Sequence, residues 1–253
     1  MKLSQIFLLV FLFFLSVSRV KSQEISGYVS YSVFQSTDSV NNAPEELWML
    51  SAYPFIPKIA SMMTFKLEFT STKSLFTLVK SKELEKISND DLRHAISFVE
   101  YKDSTWQDID YCYNFDRDPR TMVDKKGLIV KTRNNFDWKI STEKKMIGDF
   151  TCYKATGNRE ISFRKDGKQQ IRTTPVIAWF CPDIPVPFGP LFSRDLPGLI
   201  FELQLGGTLY GLKELNLINK PDIAQLPKKE VITRDQWRDR LYEKAKELNI
   251  PYQ

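Results

Sequence analysis

Histidine is almost missing from this chain. His94 is the single imidazole in 253 residues, so any serine or cysteine nucleophile would have to recruit that one ring as its base. If helical, it falls opposite the Leu92, Ile96 and Val99 face, where a surface role is the plain reading. There is no Gly-x-Ser-x-Gly elbow, phosphate loop or dinucleotide fingerprint either. The three cysteines, Cys112, Cys152 and Cys181, stand far apart with no second histidine, which is no pattern for zinc. Asp108, Asp110, Asp116 and Asp118 could offer oxygens to calcium, but the Asp-x-Asp-x-Asp-Gly loop and its distal glutamate are missing. A solvated acidic loop fits them better. No metal and no cofactor is therefore expected. A pair of carboxylates could still hydrolyse a glycoside without histidine, and the 31 acids keep a carboxylate-dependent hydrolase as an alternative with nothing positive behind it.

Long apolar runs are missing too, outside the start of the chain. Residues 1–22 read as a secretory signal: Lys2 gives the positive start, Ile6 to Leu15 the apolar core, and Val20-Lys21-Ser22 the cleavage site. The core is short of the roughly 20 residues needed to span a bilayer, and no later run approaches that length. Residues 23–253 should then be exported to the periplasm or beyond, without an integral membrane span. No cysteine follows the cleavage site, which argues against a lipoprotein. Three of the 36 basic residues (Lys2, Arg19, Lys21) and none of the 31 acids lie in the leader, so the mature chain falls from a net +5 to +2. Lys165, Lys168, Arg172, Lys228 and Lys229 are scattered, and no nucleic-acid-binding motif accompanies them. Nucleic acid is not an expected partner.

An odd number of cysteines in an oxidising compartment suggests one disulfide and one spare thiol. Cys152 with Cys181 is the favoured pair, since each sits in or beside a predicted strand and adjacent strands could bring them together. Such a bridge would contribute about 3–4 kcal/mol. Three buried free thiols are the competing reading, because cysteine packs well as a small hydrophobe.

What is present in quantity is period-2 patterning. Val29, Tyr31 and Val33 alternate with serines; Met63, Phe65, Leu67 and Phe69 alternate with polar residues and lead through Ser71–Ser74 into Leu75–Val79 as a hairpin. A short helix fits Glu45–Ala52, followed by a break at Pro54–Pro57. Residues 82–103 suit either a helix behind a Ser88 cap or, preferred after Ala95, a strand. Residues 103–120 read as a long acidic and aromatic excursion. Strands are predicted at 127–133 and 136–141 around an Asn134-Asn135 turn, at 151–156, at 161–164, and at 170–180 after an Asp166-Gly167 hairpin turn. Leu199–Leu205 and Thr208–Leu217 make another pair around Gly206-Gly207. Thr233 and Gln236 form a capping box ahead of Trp237, Leu241, Ala245 and Leu248, with ion pairs expected at Asp235–Arg238 and Glu243–Lys246. No repeat or Gly/Ser linker divides the chain. The expectation is a mainly β single domain: one curved antiparallel sheet, half barrel or barrel-like, with a few helices including a C-terminal amphipathic one.

Residues 178–203, AWFCPDIPVPFGPLFSRDLPGLIFEL, break the pattern. Pro182, Pro185, Pro187 and Pro190 cannot lie inside a central strand and imply a stiff crossing between strands. Gly189 and Gly198 should supply backbone freedom where the crossing re-enters the sheet, with a positive φ expected at Gly198. With the Cys152–Thr156 strand and Ala178-Trp179, the run ending Leu196-Pro197-Gly198-Leu199-Ile200 resembles the GLPGLI family of secreted Bacteroidetes proteins. Asp195 replaces the first glycine of the family box, a residue that still tolerates a left-handed backbone at modest cost. The resemblance is specific over residues 147–205. It implies a β-rich secreted module with no established activity; the half barrel expected from the strand pattern would be similar to lipoprotein-carrier folds. Trp179, Phe180, Phe188, Phe192 and Phe201 gather around the signature and could line an apolar groove, although most aromatics in β proteins are core. The expected function is non-enzymatic binding of an envelope or secreted protein partner or an apolar ligand, with a lipid or lipoprotein carrier as the alternative.

Overall fold

The computed structural model describes residues 25–35, 44–116, 127–133, 136–165, 168–218 and 221–247. Residues 1–22, Asn134-Asn135, Asp166-Gly167, Asp118 and Leu248 lie outside these, and so do the expectations placed on them. Twelve strands form one sheet: β1 (Gly27–Gln35), β2 (Thr64–Phe69), β3 (Lys73–Leu78), β4 (Thr105–Asp108), β5 (Cys112–Asp116), β6 (Leu128–Thr132), β7 (Lys139–Ile147), β8 (Phe150–Lys165), β9 (Lys168–Cys181), β10 (Leu199–Leu205), β11 (Thr208–Leu217) and β12 (Val231–Thr233). Their spatial order is β12-β6-β5-β4-β3-β2-β1-β11-β10-β9-β8-β7. Every pairing is antiparallel except β12 with β6, so the sheet is mixed. It does not close into a barrel.

Alternation decides which face is buried. In β1 and β2, Val29, Tyr31, Val33, Phe65, Leu67 and Phe69 are all buried while their neighbours are half-exposed. Tyr31 opposite Phe65 and Leu67 opposite Phe76 carry the apolar face across the centre of the sheet. Burying a side chain of this size contributes about 1.5–3 kcal/mol. Among the described residues four α-helices accompany the sheet: α1 (Pro44–Ala52), α2 (Ile56–Met62), α3 (Asn89–Phe98) and α4 (Arg234–Glu247). Ile56, Ile59 and Ala60 of α2, and Ala95 and Phe98 of α3, join the core. Among the described residues no helix is long and apolar enough to cross a membrane.

Four sequence expectations change here. The 82–103 segment is helix through Phe98, because Ser88 accepts the Asp91 amide at 3.1 Å and so caps α3. The 103–120 excursion holds β4 and β5, joined by a turn in which Asp108 accepts from the amides of Asp110 and Tyr111, both at 2.8 Å. The break at Pro54–Pro57 opens a second helix, with proline at its first turn, where a missing N–H costs nothing. Finally, the strand expected over 136–141 begins at Lys139 and runs on to Ile147, and β6 and β7 are not neighbours but lie at opposite ends of the sheet.

That last point fixes the curvature. Nine strand steps separate β6 from β8, roughly 43 Å if the sheet were flat. Yet β6 ends at Thr132, and Phe136 already accepts a hydrogen bond from the Asn158 amide of β8 at 2.9 Å. Four residues span at most about 14 Å. The sheet therefore curls until its ends nearly meet, leaving a seam between them. Beyond β7 and β10, among the described residues, the far halves of β8 and β9 pair with each other alone, out to Lys165 opposite Lys168, as a two-stranded arm. Pro175 is tolerated in that arm because β9 has a free edge there.

Candidate functional site

The signature segment is the natural place to start. Between β9 and β10, residues 182–198 cross the inside of the curled sheet and are fastened to both banks. Gln107 of β4 donates to the carbonyls of Gly189 and Leu191 at 3.5 and 3.4 Å. The Cys112 thiol of β5 contacts Gln107 Oε1 at 3.3 Å and the Phe192 carbonyl at 3.7 Å. From the other bank, Trp138 Nε1 donates to the Arg194 carbonyl at 2.8 Å. Tyr31 of the central strand donates to the Ile200 carbonyl at 2.6 Å; complete burial holds its phenol well above the usual pKa.

Arg194 is the strongest fastening. Its side chain is 2% exposed; Nε meets Asp195 Oδ1 at 3.0 Å, and Nη2 donates to the Ile109 carbonyl in the β4–β5 turn. Burial opposes the guanidinium charge, but the Asp195 carboxylate outweighs it and raises the pKa. Asp108 receives the same positive field. Partial burial pushes its carboxyl up, and the two amides, the Tyr113 hydroxyl and Arg194 together bring it below the ordinary value. Tyr113 is pushed up to about 12, by burial first and then by Asp108. Asp116 accepts from the Trp237 indole. These aspartates therefore work as hydrogen-bond acceptors in turns and contacts, and among the described residues no cluster of histidine, cysteine and acid is placed to hold a metal.

The glycines and Asp195 divide their roles differently from the expectation. Asp195 has φ +69° and Leu191 φ +58°, so the left-handed positions of the crossing fall on non-glycine residues. Gly198 is outside that region. A Cβ there would lie 2.2 Å from the Cys181 carbonyl oxygen, so glycine is required by close backbone approach. Gly189 is similar, with Ile200 and Ser193 atoms 2.6 Å from where its Cβ would stand. Pro182, Pro185, Pro190, Leu196 and Pro197 lie in the crossing, with Leu196 buried, and Leu199 and Ile200 are buried at the start of β10.

The five aromatics assigned to a groove do not share one. Phe180, Phe188 and Phe201 are enclosed in the core. Trp179 alternates with the buried Ala178 and Phe180 and so faces the other side of the sheet, with Lys145 and Lys154 ammonium groups 4.4 and 5.8 Å from its ring centroid. Lys145 also pairs with Glu202 at 2.5 Å, and Lys154 with Glu143 at 2.9 Å. Phe192 lies at the seam, stacked on Phe136 with centroids 6.0 Å apart and covered by the Arg159 guanidinium at 4.5 Å. Alternation along β9 was readable in the sequence, and it separates Trp179 from Phe180.

The disulfide is also corrected: Cys112, Cys152 and Cys181 are free, buried thiols. Tyr153 pairs with Phe180, so continuing the register by one places Cys152 opposite Cys181, and their side chains hydrogen-bond to each other. Burial, then the neighbouring Cys181 and Glu202, pushes the Cys152 thiol up to about 12. Neither is poised as a nucleophile. His94 is stacked on Tyr53 with centroids 4.3 Å apart, in an aromatic group with Phe55 and the exposed Trp48.

A family model described as a protein of unknown function (Porph_ging) matches residues 138–202, the stretch from β7 through the crossing into β10. The comparison with curated proteins gives no match. Among solved structures, two crystal forms of PNGF-II are similar in fold: 14% identity with a TM-score of 0.48 for the C2 form, and 13% with 0.47 for the P21 form. Each match covers 87% of this chain and 33% of the other, so the chain spans about a third of the length of those proteins.

Proposed function

We propose that this chain is an exported, non-enzymatic binding module of the GLPGLI type, which recognises an envelope or secreted protein partner with its outer surface. The observation that carries this reading is Trp179, a half-buried indole that alternates with the core residues Ala178 and Phe180 along β9 and is held under Lys145 and Lys154. A tryptophan fixed on rigid strands is a frequent energetic anchor of a protein interface. The interior offers less: Phe180, Phe188 and Phe201 are consumed in packing, and the crossing occupies the inside of the curl. A leader at residues 1–22 would deliver the domain to the periplasm or outside the cell, where neutral, buried thiols suit a structural role.

The test is capture from the native envelope with the purified mature protein as bait. Wild type should retain a protein partner that Trp179→Ala loses by at least tenfold, with the melting temperature unchanged. Lipid released from natively purified protein in its place would favour the carrier alternative, and turnover of a glycoside, ester or peptide abolished by a single carboxylate substitution would overturn the reading.

A further inference from the structure

The β8–β9 arm leaves a strand edge open. β10 pairs with β9 only as far as Leu205 opposite Val176, and Gly206, at φ +53°, then turns the chain toward β11. Past that point no strand lies beside β9 on this side among the described residues. One hydrogen bond fixes which backbone groups face the opening. Asn158, opposite Pro175, donates its amide to the Phe136 carbonyl and therefore away from β9. In an antiparallel ladder the residue opposite such a position also turns its backbone outward, and the orientation alternates along the strand. Pro175 thus stands where an N–H would have pointed to the β10 side. By the same alternation, Thr173, Ile171 and Gln169 direct their N–H and C=O groups into the opening.

This edge suits pairing where the others do not. β7 has an irregular register between Ile140 and Lys144, and β12 ends after three residues. β9 keeps an unbroken register with β8 from Phe180 to Lys168. From Lys168 to Thr174 it offers roughly 24 Å of extended chain. Gln170, Ile171, Arg172 and Thr173 are all exposed, Ile171 at 60%. A two-stranded ribbon is marginal in water, and a third strand is what stabilises it.

Charge selects the guest. Over residues 157–165 and 168–176 the arm carries Arg159, Arg164, Lys165, Lys168 and Arg172 against one acid, Glu160. The arm of a second copy would bring the same basic excess alongside, and like charges across a strand pair are destabilising. Acidic residues on a guest strand complement that excess. β-branched residues between them fit the pleat beside Ile171 and Thr173.

We propose that the edge of β9 from Lys168 to Thr174 binds an extended acidic segment of a protein partner, which adds to the sheet as a strand in line with β10. The inference rests on the reading of this chain as a protein-binding module and names the kind of segment it takes. Main-chain hydrogen bonds supply affinity in such strand addition, and charge supplies the choice of guest.

A fluorescent peptide of alternating glutamate and valine, titrated into the purified mature protein, reads the edge. It should bind at least tenfold more tightly than the same peptide with lysine for glutamate. Methylating the peptide's backbone amides removes its ladder donors, keeps its charge, and should weaken binding at least tenfold. On binding, amide exchange should slow at Gln169, Ile171 and Thr173. Arg172→Glu, a change at an exposed position, should reduce the preference for glutamate over lysine at least tenfold. Equal binding of the two peptides, undiminished binding of the methylated one, or slowed exchange confined to another edge would overturn the proposal. So would a concentration-dependent dimer that protects those three amides without peptide, since the edge would then belong to a second copy. The peptide edge does not include Trp179, Lys145 or Lys154. A failure here therefore leaves capture through Trp179 standing, and a failed capture leaves the peptide result standing.

Discussion

Gly198 shows how one residue can be read correctly as indispensable and for the wrong reason. Its neighbours, Pro197 and Leu199, suggest a turn with positive φ, and the structure places that conformation at Asp195. What Gly198 supplies is absence: the Cys181 carbonyl group and Pro182 Cα occupy the space a side chain would need, at 2.2 to 2.9 Å. These are backbone atoms at the end of β9 and cannot step aside. Gly198→Ala should destabilise the fold by about 1–3 kcal/mol, the usual cost of overpacking. Pro197→Ala, which adds no atom at that contact, should cost less than about 1 kcal/mol. Urea unfolding of the two variants checks this, and equal midpoints for both and for wild type would remove the close approach from the account. The sequence carried the glycine; it carried no sign of which carbonyl lies across from it, since that contact depends on the register of β9 against β10.

At the scale of elements, the pairing of β8 with β9 makes a pH prediction. Folding raises the Cys152 thiol to about 12 and also raises Cys181, in both cases chiefly through burial. Below the unfolded pKa, near 8.5, the thiols are protonated in both states and contribute no pH dependence. As pH rises above it the unfolded chain loses protons that the folded chain keeps, so stability falls between about pH 9 and about pH 12. Denaturation midpoints for wild type should decline through that window more steeply than for Cys152→Ala, and parallel curves would contradict the assignment. The same elements mark the limits of pattern reading. The alternation of β1, β2, β10 and β11 was legible because one face is core and the other meets water. β4 and β5 were not, since each is four or five residues long and the Asp108 turn between them has the composition of a loop. For α3 the decisive signal was the Ser88 cap, a local hydrogen bond, which outweighed the strand-like spacing of Ile96 and Phe98.

At the scale of the whole molecule, the remaining problem is how a sheet that stays open keeps its curl. The exposed β7 edge is guarded by Lys139, Lys144 and Lys145 and bent by an irregular register between Ile140 and Lys144, features that discourage strand addition. β12 ends the opposite side after three residues and is backed by α4. Neither edge pairs with the other, so the curvature must be held from inside, and the crossing is where the two banks are tied. Arg194 joins them most directly, through the Ile109 carbonyl on one side and its own carbonyl to Trp138 on the other. Its guanidinium is buried, so truncating it to Arg194→Met removes a charge-assisted contact and leaves the Ile109 carbonyl without this donor, at a cost of roughly 1–3 kcal/mol. The loss should be uneven. Amide hydrogen exchange should accelerate in the β4–β5 turn and near Trp138, while the central β1, β2 and β11 ladders keep their protection, because their backbone pairing does not pass through Arg194. Uniform acceleration across all twelve strands would mean that the sheet holds its shape without this fastening.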